Sequence, residues 1–241
     1  MKNVTDRVSN PFGMCPDCDR FVPGYGDANA DFHVVGDHPG VHGGVETGVP
    51  FTGSAAGERL LAALVRAGLL GSAGESPEVA ATFLSYLHMC VPEGERAAAD
   101  GSPTPASYED MERFFDAEVR AIAAHVLLPV GARATRHVLE TFTAQAHKTT
   151  VDMDELHGRE IVGAGWLVLP VKDPADWTTR DAAAGSDPAD GRDADDADNA
   201  GDGATDADRL VDAVDTLRST DFRRESDLGR FVAGADPYMV R

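Results

Sequence analysis

The 18 residues from Gly36 to Gly53 read GDHPGVHGGVETGVPFTG, and they set Asp37, His38, His42 and Glu46 among six glycines and two prolines. Glycines at this density let a backbone come close to a phosphate or a flat base. The apolar run FHVV precedes the stretch, so Asp37 and His38 fall at the mouth expected for a ligand site beyond the end of a strand. No Gly-Lys-Ser/Thr follows, which excludes a Walker phosphate loop. A second group with chemical potential is the cysteines: Cys15 and Cys18 in CPDC, and Cys90 in HMCVPE. An odd count in a chain that reads as intracellular points to metal or spare thiols rather than a disulfide framework.

The elements that must position these residues are legible as apolar runs. DFHVVG (31–36), TFLSYL (82–87), AHVLLPV (124–130) and GWLVLP (165–170) read as buried strands. Between them GERLLAALVRAGLL carries Leu60, Leu61, Leu64, Val65 and Leu69 at helical spacing. YEDMERFFDAEVRAIA does the same with Met111, Phe114, Phe115, Val119 and Ile122. Alternating strands and helices predict a three-layer α/β/α sandwich around a central, mainly parallel four-stranded sheet.

The chain has 241 residues and a formal charge of -20, from 41 acidic and 21 basic side chains of which three are Lys. Such a surface opposes phosphate binding at ordinary salt. It suits molar salt, where the Debye length shrinks to roughly 3 Å and an acidic, Lys-poor surface keeps a protein soluble. Residues 181–208 carry ten Asp and one Arg. With no aliphatic larger than Ala, that segment reads as a disordered acidic insertion between a domain at 1–180 and a C-terminal extension at 209–241 that packs on the core. No apolar run approaches membrane-spanning length and the N-terminus lacks a signal-peptide core, so a cytoplasmic monomer is expected.

The ordered series CPDC, DANADFHVVGDHPG, TGVPFTGSAAGERLL, HMCVPEGER, AHVLLPVGARA and HGR (157–159) resembles the uracil-DNA glycosylase superfamily, families 4 and 5, over residues 12–177. The loop spacing is closer to family 5. The resemblance implies a DNA-repair glycosylase that flips a uracil or another deaminated base out of DNA and hydrolyses its N-glycosidic bond. It implies base-binding roles for Gly36, His38, Gly40, Phe51 and Tyr86, with Phe51 as the ring that stacks on the base. It places the water beside Asp37, with His42 and Glu46 in the same loop as weaker choices.

The resemblance also implies a [4Fe-4S] cluster on Cys15, Cys18 and Cys90, with Met111 standing where the family has its fourth cysteine. Met is a poor iron ligand. A cluster completed by Asp110, Glu112 or water, a zinc site, and no metal at all stay open. Two further departures bear on activity. Tyr86 stands where the family has the Asn that reads uracil, and Lys172 is the nearest cation to the place of the His that supports the leaving base. Arg223, Arg224 and Arg230 form a basic island for DNA contact, or pair with Asp221, Glu225 and Asp227. The departures at Tyr86 and Lys172 support a second reading, a glycosylase fold without catalysis that binds DNA or a nucleotide.

Overall fold

The computed structural model describes residues 9–178 and 204–223. In chain order its elements are β1 (Tyr25–Gly26), β2 (Phe32–Gly36), α1 (Pro39–His42), α2 (Ala55–Arg66), β3 (Leu70–Ser72), β4 (Glu78–Val79), β5 (Thr82–Tyr86) and α3 (Pro105–Ile122). There follow β6 (Val126–Pro129), α4 (Gly131–Phe142), α5 (Met153–Leu156), β7 (Ile161–Val162), β8 (Leu167–Val168) and α6 (Asp206–Arg218).

One sheet runs in the order β1-β5-β2-β6-β8-β7. The four central strands are parallel, with Val34 opposite Leu84 on one side and Leu128 on the other. These four are the runs the sequence marks. The edge strands β1 and β7 are antiparallel and two residues long, too short to leave a period-two pattern.

Successive side chains of a strand face opposite sides of the sheet, and the core divides accordingly. Val34, Leu84, Leu128 and Leu169 pack under Leu60, Leu61 and Leu64 of α2 and Leu210, Val214 and Leu217 of α6. Val35, Leu127 and Val168 pack under Phe115 and Val119 of α3 and Val138 and Leu139 of α4. A fully buried Leu or Val contributes about 1.5–3 kcal/mol over an exposed one, so these two stripes hold the three layers together.

Local chemistry sets where the helices start. Ser54 caps α2 by accepting the Gly57 N–H at 3.1 Å, and Thr104 caps α3 ahead of Pro105. Thr205 and Asp208 form a reciprocal capping box at the start of α6. The helix therefore begins inside the 181–208 segment expected as insertion, and its Leu210 and Leu217 anchor that part of the chain on α2. Among the described residues no helix is long and apolar enough to cross a membrane.

Candidate active site

β2 ends at Gly36, level with Tyr86 at the end of β5, and Val35 lies opposite Pro129 at the end of β6. Residues 37–54 therefore leave the sheet at its carboxyl edge, where open α/β sheets bind ligands. Gly36 is required by packing: a Cβ there would lie 2.6 Å from the Tyr86 ring and 2.8 Å from Phe51 Cζ. The loop then makes the short helix α1, in which His38 Nδ1 accepts the Gly40 N–H at 3.2 Å. Ser54 donates to the His42 carbonyl at 2.8 Å, which ties α1 to the start of α2.

Asp37 is the centre of the site. Its Oδ1 accepts the Tyr108 hydroxyl from the first turn of α3, and its Oδ2 lies 3.5 Å from Arg133 Nε on α4. Burial raises the carboxyl above its usual range, and the Tyr108 hydrogen bond with the charges of Arg133, His42 and His88 offsets only part of that.

The Asp37 N–H donates to His42 Nδ1 at 3.2 Å. With Nδ1 accepting there, the ring proton lies on Nε2, 3.3 Å from Asp173 Oδ2. Burial pushes Asp173 up, yet the His42 hydrogen bond, the Ala175 N–H and the His42 charge outweigh it and hold the carboxyl below its usual value. His42 is closed in by Phe51 at 5.6 Å and by Tyr86, stacked at 6.3 Å.

Two more histidines flank Asp37. His38 is 2% exposed, and burial together with the His42, His88 and Arg133 charges lowers it to about 4. His88, just beyond β5, has Nδ1 2.9 Å from the Cys90 carbonyl, so it donates there and accepts from Ser107 at Nε2, 2.7 Å away. His38 is therefore neutral at pH 7, and burial lowers His88 as well, opposed in part by the Cys90 carbonyl and Asp37.

The family model for the Uracil DNA glycosylase superfamily matches residues 23–189, more than half of the chain. This chain belongs to the uracil-DNA glycosylase superfamily. A Type-5 uracil-DNA glycosylase of Pyrobaculum aerophilum is 31% identical over 161 residues, 65% of this chain and 66% of that protein. Proteins of the same name from Mycobacterium bovis and Thermus thermophilus are 34% identical over 108 residues and 31% over 133, covering 44% and 49% of this chain. The chain spans 66% of the Pyrobaculum protein's length and 40% of the Mycobacterium bovis one.

Against the superfamily pattern, four expectations need correction. Lys172 does not reach the site: its ammonium lies 2.6 Å from Asp154 and 3.9 Å from Asp206, and its backbone N–H donates to His157 Nδ1 at 3.0 Å. Asp173, one residue on, is the group that meets His42. Phe51 is fully enclosed by core neighbours that include Tyr86 and His42, so in this conformation its ring offers no face for a base. Tyr86 is likewise buried, and its hydroxyl is committed to the loop backbone, accepting from Phe51 N–H and donating to Gly43 O. Gly40, by contrast, is exposed, and Glu46 is exposed too.

The fourth correction concerns the cysteines. Cys18 and Cys90 are joined in a disulfide with Cα atoms 6.2 Å apart, while Cys15 is a free, exposed thiol. Met111 does occupy the fourth corner, with its sulfur 3.9 Å from Cys90 Sγ, amid Met14, Phe21, Met89 and Phe114. This set does not fit a four-thiolate cluster, because a disulfide sulfur carries no charge and a thioether donates weakly to iron. Asp110 is exposed, and the Glu112 carboxylate groups with Asp116 and His137 instead.

Arg223 pairs with Asp31 at 2.8 Å through its Nε, at the amino end of β2 and so at the opposite edge of the sheet from Asp37. Arg224 and Arg230 lie outside the described residues. The functional neighbours that sequence reasoning missed are Tyr108, Arg133 and His88. His88 and Arg133 each follow a central strand by two to four residues, which is a usable signal, since loops after parallel strands converge. Tyr108 enters from the start of a helix and leaves no such signal.

Proposed function

We propose that this protein hydrolyses the N-glycosidic bond of uracil or another deaminated base in DNA, taking the base out of the stack to do so. The observation that carries the reading is the Asp37 carboxylate, held at the carboxyl edge of the sheet between Tyr108 and Arg133, with the Asp37 N–H bonded to His42, in a chain of this superfamily. The relatives named Type-5 uracil-DNA glycosylase support the same activity.

In the reaction, ionised Asp37 orients a water against C1′ of the flipped nucleotide and takes its proton as the oxygen bonds to C1′. The C1′–N bond breaks with its electron pair going to the base. The base leaves as an anion and is protonated by solvent, leaving an abasic sugar. With the Tyr86 hydroxyl committed to Phe51 and Gly43, the base edge is read by other groups, so the range of bases accepted is the open variable.

The test uses labelled single- and double-stranded oligonucleotides containing uracil, hypoxanthine or xanthine, incubated with the protein in molar KCl and then treated with alkali. Cleavage at uracil or another deaminated base is expected, with Asp37→Asn slower by about 10²-fold or more, the scale of losing a positioned base. Retained oligonucleotide binding with no cleavage at any base would sink the hydrolase reading and leave a binding module.

A further inference from the structure

We propose that Tyr108 and Arg133 are the positioning residues of Asp37, a two-sided clamp that fixes the carboxylate's orientation and keeps it charged for its work on water. The proposal rests on the hydrolase reading above and adds residues that the sequence pattern does not mark.

Three separate elements converge to make the clamp. Asp37 leaves the end of β2, Tyr108 comes from the first turn of α3, and Arg133 is the third residue of α4. Tyr108 gives its hydroxyl proton to Oδ1, and Arg133 sets Nε 3.5 Å from Oδ2, so each oxygen has one partner. With one contact per oxygen, lone pairs remain for a water. The partners also hold each other: the Arg133 guanidinium lies 4.6 Å from the centre of the Tyr108 ring. The ring in turn meets His88 edge-on at 5.4 Å, and His88 is fixed by Ser107 and the Cys90 carbonyl. The chain of contacts runs from the carboxylate into the core without a break.

The energetics give the clamp a purpose beyond shape. Asp37 keeps only 19% of its side chain exposed, and burial disfavours its charged form. A base must be ionised to accept a proton. An O–H···O⁻ bond is among the stronger hydrogen bonds, and an arginine stays charged at every working pH. Among the described residues, the other charged or titratable groups facing Asp37 are His42, whose Nδ1 accepts the Asp37 backbone N–H, and His88 behind Tyr108, while Asp100 lies on the Arg133 side with opposite sign. Removing either clamp residue leaves burial to act with less opposition, so Asp37 must take up a proton at higher pH. A residue that merely filled space would not do this.

The experiment follows the Asp37 carboxyl by carbon NMR in protein labelled at aspartate, assigned by the signal lost in Asp37→Asn. Wild type, Tyr108→Phe, Arg133→Gln and Arg133→Lys are titrated, with uracil release measured across the same pH range. Phe and Gln each move the carboxyl midpoint upward by roughly one pH unit, and the acidic limb of the rate profile moves with it. Lys at 133, which restores the charge, brings the midpoint back towards wild type. Midpoints in both Phe and Gln variants that match wild type overturn the clamp. Arg133 is half-exposed, so its variants fold and decide the matter even where Tyr108→Phe does not. Absence of base release by wild type defeats the hydrolase reading alone, because the titration still reads the clamp.

Discussion

The Tyr86 hydroxyl accepts the Phe51 N–H at 2.7 Å and donates to the Gly43 carbonyl at 3.0 Å, so one phenol closes the glycine-rich loop from both ends. Phe51 sits at a positive φ of 66°, a backbone conformation that side-chain-bearing residues adopt rarely, and this hydrogen bond helps hold it. Tyr86→Phe leaves a buried N–H and a carbonyl without their partner. The expected cost is about 1–3 kcal/mol, read as a lower urea midpoint at unchanged slope. An unchanged midpoint would mean the phenol does not support the loop.

Asp173 and His42 connect the loop after β2 to the segment after β8. Because the folded Asp173 carboxyl is held below its usual value, its contribution to stability is present above the ordinary carboxylate range and is lost as pH falls through the depressed folded value. Asp173→Asn removes that contribution. Melting temperatures of the two proteins should differ most near pH 7 and converge as pH falls towards 3. A difference that stays constant with pH would show that the pair is neutral in its effect on folding.

Much of this arrangement could be read in the sequence, for identifiable reasons. The strands that end at Gly36 and Tyr86 are continuous apolar runs, because a parallel strand covered on both faces has no polar side. Asp37 and His42 follow from their place after such a strand. The edge strands β1 and β7 could not be read, since two residues carry no period. The sequence misplaces Lys172 because a strand end gives the residue but not the direction of its side chain: Lys172 turns to Asp154 and Asp206, and Asp173 turns to the loop. The Tyr108 contact to Asp37 spans 71 residues, a separation that no local pattern encodes.

Glu118 is a second buried acid, on the far side of the sheet from α2. It is fully enclosed, and a Cβ on Gly24 would fall 2.4 Å from its Oε1, so the glycine makes room for it. Burial raises its pKa to about 8, with the Gly24 N–H and Ser85 hydroxyl opposing the shift only in part. A raised folded value means the acid's contribution is complete below the ordinary glutamate range and is lost as pH rises towards 8. Glu118→Gln keeps the shape and removes the charge. The variant should gain on wild type in melting temperature from pH 5 upward, with the gain levelling off above about pH 8. Parallel curves across that range would place the ionisation elsewhere.

The Cys18–Cys90 disulfide closes a loop of sequence separation 72 and ties the segment before β1 to the turn after β5. Chain-entropy arguments assign a cross-link of that span about 4 kcal/mol, through restriction of the unfolded chain. Cys90 is fully buried beside Met111, whereas Cys15 is exposed. Unfolded, unreduced protein should therefore react with a thiol reagent at one cysteine and reduced protein at three. Reduction should lower the melting temperature, and Cys90→Ser should reproduce that loss and make the protein insensitive to reductant. Three reactive thiols without reductant, or four irons per chain in anaerobically purified protein, would show that the sulfurs are not paired in this way. The same measurement on Met111→Cys probes the corner directly, because a thiol on residue 111, whose Met sulfur lies 3.9 Å from Cys90 Sγ, offers the disulfide an internal exchange partner. Mapping should then find Cys90 linked in part to residue 111, a product that wild type cannot form.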